Sequence, residues 1–84
     1  MPFRRCLWDL DDDPDGNVVH IATHGLTKQD VEEVFAAVLG EEFSRSTGRP
    51  IVFGRNEQGE LVAVVYEKIE DDLVYPVTAF IVGE

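Results

Sequence analysis

Three arginines lie close together in the sequence and could bind a phosphate group. Arg45, Arg49 and Arg55 fall within eleven residues, and two histidines, Tyr66 and Tyr75 lie elsewhere in the chain. Metal-free RNA cleavage needs a base for the 2′-hydroxyl proton, an acid for the leaving 5′-oxygen and cations for the phosphorane. His, Arg and Tyr side chains can fill these roles. The same residues would otherwise be solvated turn arginines and a cross-strand tyrosine pair.

An acidic loop is the first candidate for metal binding. Asp11, Asp13, Asp15 and Gly16 match the D-x-D-x-D-G opening of a calcium loop. Counting from Asp11, the twelfth position is Ala22, where a calcium loop requires a bidentate Glu. We therefore expect a solvated acidic turn whose Asp15 caps the helix that follows.

A histidine pair is the second candidate. His20 and His24 are four residues apart, the spacing at which both could contact a zinc ion. Ile21 replaces the Glu that would act as general base in a zincin motif, and Cys6 lies in a predicted strand, where we expect a buried thiol rather than a nucleophile. The prediction is that the chain has no metal site and no cofactor.

Length and charge restrict the possible functions. Eighty-four residues can fill one core, so we predict a single domain over residues 1–84. The net charge of −10 repels nucleic acid, and an RNA-binding protein of this charge must concentrate its cations on one face. No apolar run is long enough for a signal peptide or a membrane span, which favours a cytoplasmic protein without membrane contact. So small a domain also favours a partner or a homo-oligomer.

Two helices are predicted in the first half of the chain. Val18, Ile21 and Ala22 recur at helical spacing before Gly25, which predicts a helix over residues 16–24. Thr27 with Asp30 is typical of a capping box and starts a second helix at residue 28. Its apolar stripe predicts burial against a sheet as far as Gly40: Val31, Val34, Phe35, Val38 and Leu39.

Strands are predicted for most of the remaining chain. A short strand is predicted at 3–9, and others follow at 42–46, 50–56, 60–69 and 73–82. Short connections make neighbouring strands antiparallel, so we expect an α+β fold with a three- to four-stranded antiparallel sheet. The strand LVAVVYEKI is nearly continuous in apolar residues, which predicts a central strand covered by helices on one face and partly shielded on the other. Pro76 predicts an edge or a bulge in the last strand.

The order of several short motifs resembles the BrnT family of type II toxins, which have a RelE-like ribonuclease fold. The resemblance covers about residues 8–80 and rests on motifs that the family has in the same order. They are Trp8-Asp9, Thr23-His24-Gly25, Leu26-Thr27, Arg49, Gly54, Gly59, the strand LVAVVY, and Thr78-Ala79-Phe80. Three positions depart from the family pattern: Thr23 stands in place of Lys, His20 in place of Asn, and Phe80 in place of the terminal Arg.

The resemblance implies two alternative functions. In the first, the chain is a toxin that cleaves RNA without a metal, with His24 as acid or base and Arg49 and Arg55 as phosphate contacts. Arg45 and Tyr66 would then bind the substrate, and an antitoxin protein would be the partner. In the second, the chain is a catalytically inactive protein-interaction module of the same fold, which binds a partner through its sheet edge or its acidic surface.

Overall fold

The computed structural model describes residues 5–83, which form two helices and a five-stranded mixed sheet. The elements in chain order are β1 (Arg5–Cys6), α1 (Asn17–Ala22), α2 (Lys28–Ala36), β2 (Gly40–Phe43), β3 (Pro50–Arg55), β4 (Leu61–Glu70) and β5 (Leu73–Ile81). The strand order across the sheet is β1-β5-β4-β3-β2. The α+β class predicted from the sequence is confirmed. None of the helices in these residues is long and apolar enough to cross a membrane.

The predicted three- to four-stranded, wholly antiparallel sheet is wrong in one respect. β1 pairs in parallel with β5, with Arg5 opposite Leu73 and Cys6 opposite Val74, and it adds a fifth strand. The antiparallel argument rested on short connections, and β1 is separated from β5 by most of the chain, so that argument does not apply to this pair. The predicted strand 3–9 is also shorter within the described residues, and positions 3 and 4 lie outside them.

The second helix begins where the sequence predicts and ends earlier. The Thr27 hydroxyl accepts a hydrogen bond from the Asp30 backbone, and the Asp30 carboxylate accepts one from the Thr27 backbone, which confirms the capping box. The helix ends at Ala36, because the Leu39 N–H donates instead to the Phe53 carbonyl of β3. The predicted burial of Val38 and Leu39 is therefore wrong, and Leu39 is 66% exposed.

The first helix is held by residues that the sequence analysis did not single out. Gly16 is the N-cap and makes no side-chain cap, so the predicted role of Asp15 is wrong. The Asn17 N–H at the helix start donates instead to the carboxylate of Asp9, across the acidic loop. Gly25 has a φ of 80°, which confirms it as the left-handed residue after the helix.

Both helices pack on one face of the sheet and form a single core there. On β4 the positions that face the helices are Val62, Val64 and Tyr66, which decides between two faces that are both apolar in sequence. The other core residues are Ile21, Leu26, Val31, Val34, Phe35, Val52, Val74 and Ala79. Gly54 permits the close approach of α2, because a Cβ there would lie 3.1 Å from the Val34 Cα.

The long apolar strand β4 is central, as predicted, with β3 on one side and β5 on the other. Its pairing with β5 shifts register between Val65 and Tyr66, where Thr78 and Pro76 are the partners. One residue of β5 is therefore left over next to Pro76, which confirms the bulge predicted from that proline.

Candidate functional site

Two of the three predicted catalytic residues, Arg49 and Arg55, lie at opposite ends of β3. Arg49 precedes β3 and Arg55 ends it, so six residues of extended chain separate them by about 20 Å at roughly 3.3 Å per residue. The Arg49 Nε lies 4.0 Å from a carboxylate oxygen of Glu67, and Arg55 donates to the Gly59 carbonyl at 2.6 Å. Each guanidinium is thus engaged at its own end of the sheet, too far from the other to hold one phosphate.

His24 is exposed just after α1, and the centroid of its ring lies 5.6 Å from that of His20. The next residue, Gly25, lines a cleft of about 280 Å³ between the start of α2 and the β3–β4 turn. Asp30, Glu57 and Glu60 also line this cleft. The three carboxylates of this cleft repel the negative charge of an RNA backbone.

The two predicted substrate-binding residues differ in solvent exposure, since Tyr66 is buried and Arg45 is exposed. Tyr66 is only 5% exposed and its ring packs edge-on against Phe35, with centroids 5.2 Å apart. It belongs to the core of the helix-covered face. Arg45 is exposed in the β2–β3 turn. Tyr66 could therefore reach a substrate only if the core opened.

A polar network that the sequence analysis missed connects the acidic loop to the sheet. The Tyr75 hydroxyl donates to the Asp9 carboxylate at 2.6 Å, and Asn17 joins Asp9 through two further hydrogen bonds. The Asn17 amide nitrogen also donates to the carbonyls of Leu7 and Pro76. Asn17 is 2% exposed, so one amide links the loop, α1 and β5.

This network shifts the pKa values of its two titratable members, Asp9 and Tyr75. The hydrogen bond from Tyr75, with a second from the Asn17 backbone, lowers the pKa of Asp9. The same bond to Asp9, with burial and nearby carboxylates, raises the pKa of Tyr75 to about 12. A phenol with that pKa is a poor general acid or base near neutral pH, although Tyr75 lines a second cleft, of about 310 Å³, together with His20.

The metal-binding candidates acquire no further ligands. The rings of His20 and His24 are adjacent, with centroids 5.6 Å apart, but within residues 5–83 no three His, Cys, Asp or Glu side chains are grouped so as to hold a metal ion. Burial, with the charge of Glu32, raises the pKa of Cys6 to about 12, which keeps its sulfur in the protonated, unreactive form.

The sheet face opposite the helices, which we call the outer face, is a feature that the sequence did not identify as a site. Three rows of side chains cross this face. Residues that are paired on neighbouring strands point to the same side of the sheet, so each row runs from strand to strand. The rows are Arg55 with Leu61 and Val82; Gly40 with Phe53, Ala63 and Phe80; and Glu42 with Ile51, Val65 and Thr78.

Seven of these residues form one contiguous apolar patch. They are Ile51, Phe53, Leu61, Ala63, Val65, Phe80 and Val82. Ala63 is 0% exposed although it lies outside the core cluster, because its partners on the two neighbouring strands are Phe53 and Phe80. Phe80 remains 39% exposed. None of the seven belongs to the core cluster. Ile81, which follows Phe80 in β5, does pack against that cluster.

A signal for this patch was present in the sequence. A half-buried antiparallel strand alternates apolar and polar residues, whereas β4 opens with Leu61, Val62, Ala63, Val64 and Val65 without interruption. That run predicts cover on both faces of the sheet, and within residues 5–83 both helices contribute to the core on one face only.

The comparisons with known proteins identify no relative. No family model matches this sequence, no curated protein matches it, and no solved structure matches the chain. The resemblance to BrnT toxins therefore stays a prediction that rests on motif order alone.

Proposed function

We propose that this chain is a protein-interaction domain whose binding surface is the apolar patch of the outer face. The observation that carries the proposal is the contiguity of seven apolar side chains on a face that neither helix covers. An exposed apolar patch that spans three strands is typical of a surface that binds another protein. This is the second of the two functions that the sequence suggested, with the surface moved from the sheet edge to the sheet face.

The physical reason is the cost of leaving the patch in water. Burial of apolar surface contributes about 25 cal/mol per Å², and each side chain of the patch that a partner covers adds to the stability of the complex. Phe80 and Val82 are 39% and 36% exposed. Four other side chains of the patch are partly exposed, namely Ile51, Phe53, Leu61 and Val65. Aromatic residues on such a patch are the ones that most often dominate binding energy.

RNA cleavage by a BrnT-like toxin is the first function that the resemblance implies, and it stays a prediction. It would require His24, Arg49 and Arg55 to act on one phosphate. The separation of the two arginines by about 20 Å of extended chain counts against that. The antitoxin partner and the cytoplasmic location likewise remain predictions of the sequence.

Photo-cross-linking tests the proposed function. A benzophenone amino acid at position 80 lies on the patch, whereas at position 43 it replaces an equally aromatic residue that is 73% exposed and lies off the patch. In cells that produce the chain, we expect a covalent adduct with a protein from position 80 and none from position 43. A folded protein that gives no adduct from position 80 or from position 53 would refute the proposal, and an adduct with RNA alone would favour the toxin.

A further inference from the structure

We infer that the partner on the apolar patch is a second copy of this chain, in a weak face-to-face dimer. This inference rests on the proposed function, because it names the occupant of the same surface. Two antiparallel sheets pack face to face with about 10 Å between them when both inner faces are apolar. A twofold axis lying in the interface would set the patch of one protomer against the patch of its partner.

The charges of the outer face favour self-association over a charged partner. On β2, β3 and β4 and next to them, the charged side chains of this face are Glu42, Arg49, Arg55 and Glu67, and their charges sum to zero. Arg5, at the far edge of the sheet, forms an ion pair with Asp72. Arg49 and Glu67 already form an ion pair. The net charge of −10 therefore comes from the rest of the chain. A basic partner would be drawn to those acidic surfaces, whereas a second copy meets a neutral, apolar face.

The size of the face sets the strength of the dimer. A standard interface buries about 800 Å² per partner and involves roughly 20 to 30 residues a side. The outer face offers only its three rows and the Arg49–Glu67 pair beyond them, so its interface falls below that size. We therefore expect dissociation in the micromolar range, at the weak end of specific association.

The long-range charge gives the dimer a salt dependence that can be tested. Each protomer carries −10, so association brings like charges together. Salt screens that repulsion, because the Debye length falls from about 10 Å at 0.1 M to about 3 Å at 1 M. The dimer should therefore tighten as salt rises. A complex with a basic partner, or with RNA through the arginines, would weaken instead.

Sedimentation equilibrium of the whole purified chain tests the inference, at protein concentrations from about 5 to about 500 μM. Phe80→Asp changes the patch, and Phe43→Asp is the matched control, since both replace a Phe by an Asp and Phe43 lies off the patch. We expect wild type and Phe43→Asp to dimerise alike and more tightly in higher salt. Phe80→Asp should weaken the dimer at least tenfold. Circular dichroism tests whether each variant is folded. If Phe80→Asp does not fold, Val82→Asp is used in its place.

Two results would overturn the inference. One is a wild-type chain that stays monomeric over the whole concentration range. The other is an equal loss of dimer in the Phe43→Asp and Phe80→Asp variants. A monomeric wild type that still cross-links to another protein from position 80 would leave the proposed function in place and remove only the second copy as its partner. A wild-type chain that neither dimerises nor cross-links from position 80 would refute both the inference and the proposed function.

Discussion

Replacing Asn17 by alanine should destabilise the domain more than replacing Asn56, the other buried residue with a polar side chain among residues 5–83. The Asn17 side chain accepts a hydrogen bond from the Asp9 N–H at 2.9 Å and donates to the carbonyls of Leu7 and Pro76 at 3.0 and 2.9 Å. These bonds connect segments up to 59 residues apart in sequence. The variant would remove the direct bonds of this amide to the loop and to β5, while the hydrogen bond from Tyr75 to Asp9 remains.

The expected loss follows from those three hydrogen bonds. Each contributes about 1 kcal/mol net, and a carbonyl left unpaired in the interior costs about a further 1 to 3 kcal/mol, which applies to Pro76 because that bond is buried. The higher helix propensity of alanine returns at most about 0.7 kcal/mol. We therefore expect a loss of about 3 to 5 kcal/mol, a large part of the 5 to 15 kcal/mol typical of a domain.

Urea denaturation measures this loss, provided that unfolding is two-state. Asn56→Ala is a suitable control. Asn56 is also buried, but both of its side-chain hydrogen bonds go to Glu60 in the same turn. We expect about 1 to 2 kcal/mol from that variant. A loss below about 1 kcal/mol for Asn17→Ala, or one no larger than for Asn56→Ala, would show that the loop is held by other contacts.

Two further predictions concern pH and activity. The pKa of Cys6 is raised from 9.0 to about 12 and that of Tyr75 from 10.0 to about 12, so the folded chain binds more protons than the unfolded one at alkaline pH. Stability should therefore fall as pH rises from about 9 to 12, and Tyr75→Phe should make that fall shallower; an unchanged urea midpoint across this range would contradict the assignment. For Asp9, whose pKa is lowered, the sign is opposite, and its contribution should be lost as pH falls below its ordinary value of 3.8. RNA cleavage at low salt with EDTA should be equal for wild type and His24→Ala, and a loss of about a hundredfold in the variant would restore the toxin interpretation.

Local signals in the sequence predict most of the fold correctly. The Thr27–Asp30 capping box, Gly25 and the run of apolar residues in β4 each specify structure within a few residues, and each prediction is confirmed. The end of α2 was missed because Val38 and Leu39 continue its apolar stripe, whereas pairing with β3 takes Leu39 into the sheet. That pairing is a tertiary contact, which helical periodicity does not contain.

The candidate site was harder to predict because spacing in sequence is not spacing in a sheet. Arg49 and Arg55 are six residues apart, which suggests a cluster, but extended chain places them at opposite ends of β3. The network of Asp9, Asn17 and Tyr75 joins residues far apart in sequence, so no local motif marks it.

The two faces of β4 meet different physical demands. Val62, Val64 and Tyr66 must be apolar because they pack beneath the helices, and any chain with this fold needs them so. Leu61 and Val65 face away from that core, where an antiparallel sheet commonly carries polar residues. The folded monomer gains little from apolar side chains at these positions, while leaving them exposed favours aggregation. A contact outside the monomer, as proposed above, would bury these apolar residues, and a second copy of the chain is the partner that we infer from the balanced charges of Glu42, Arg49, Arg55 and Glu67.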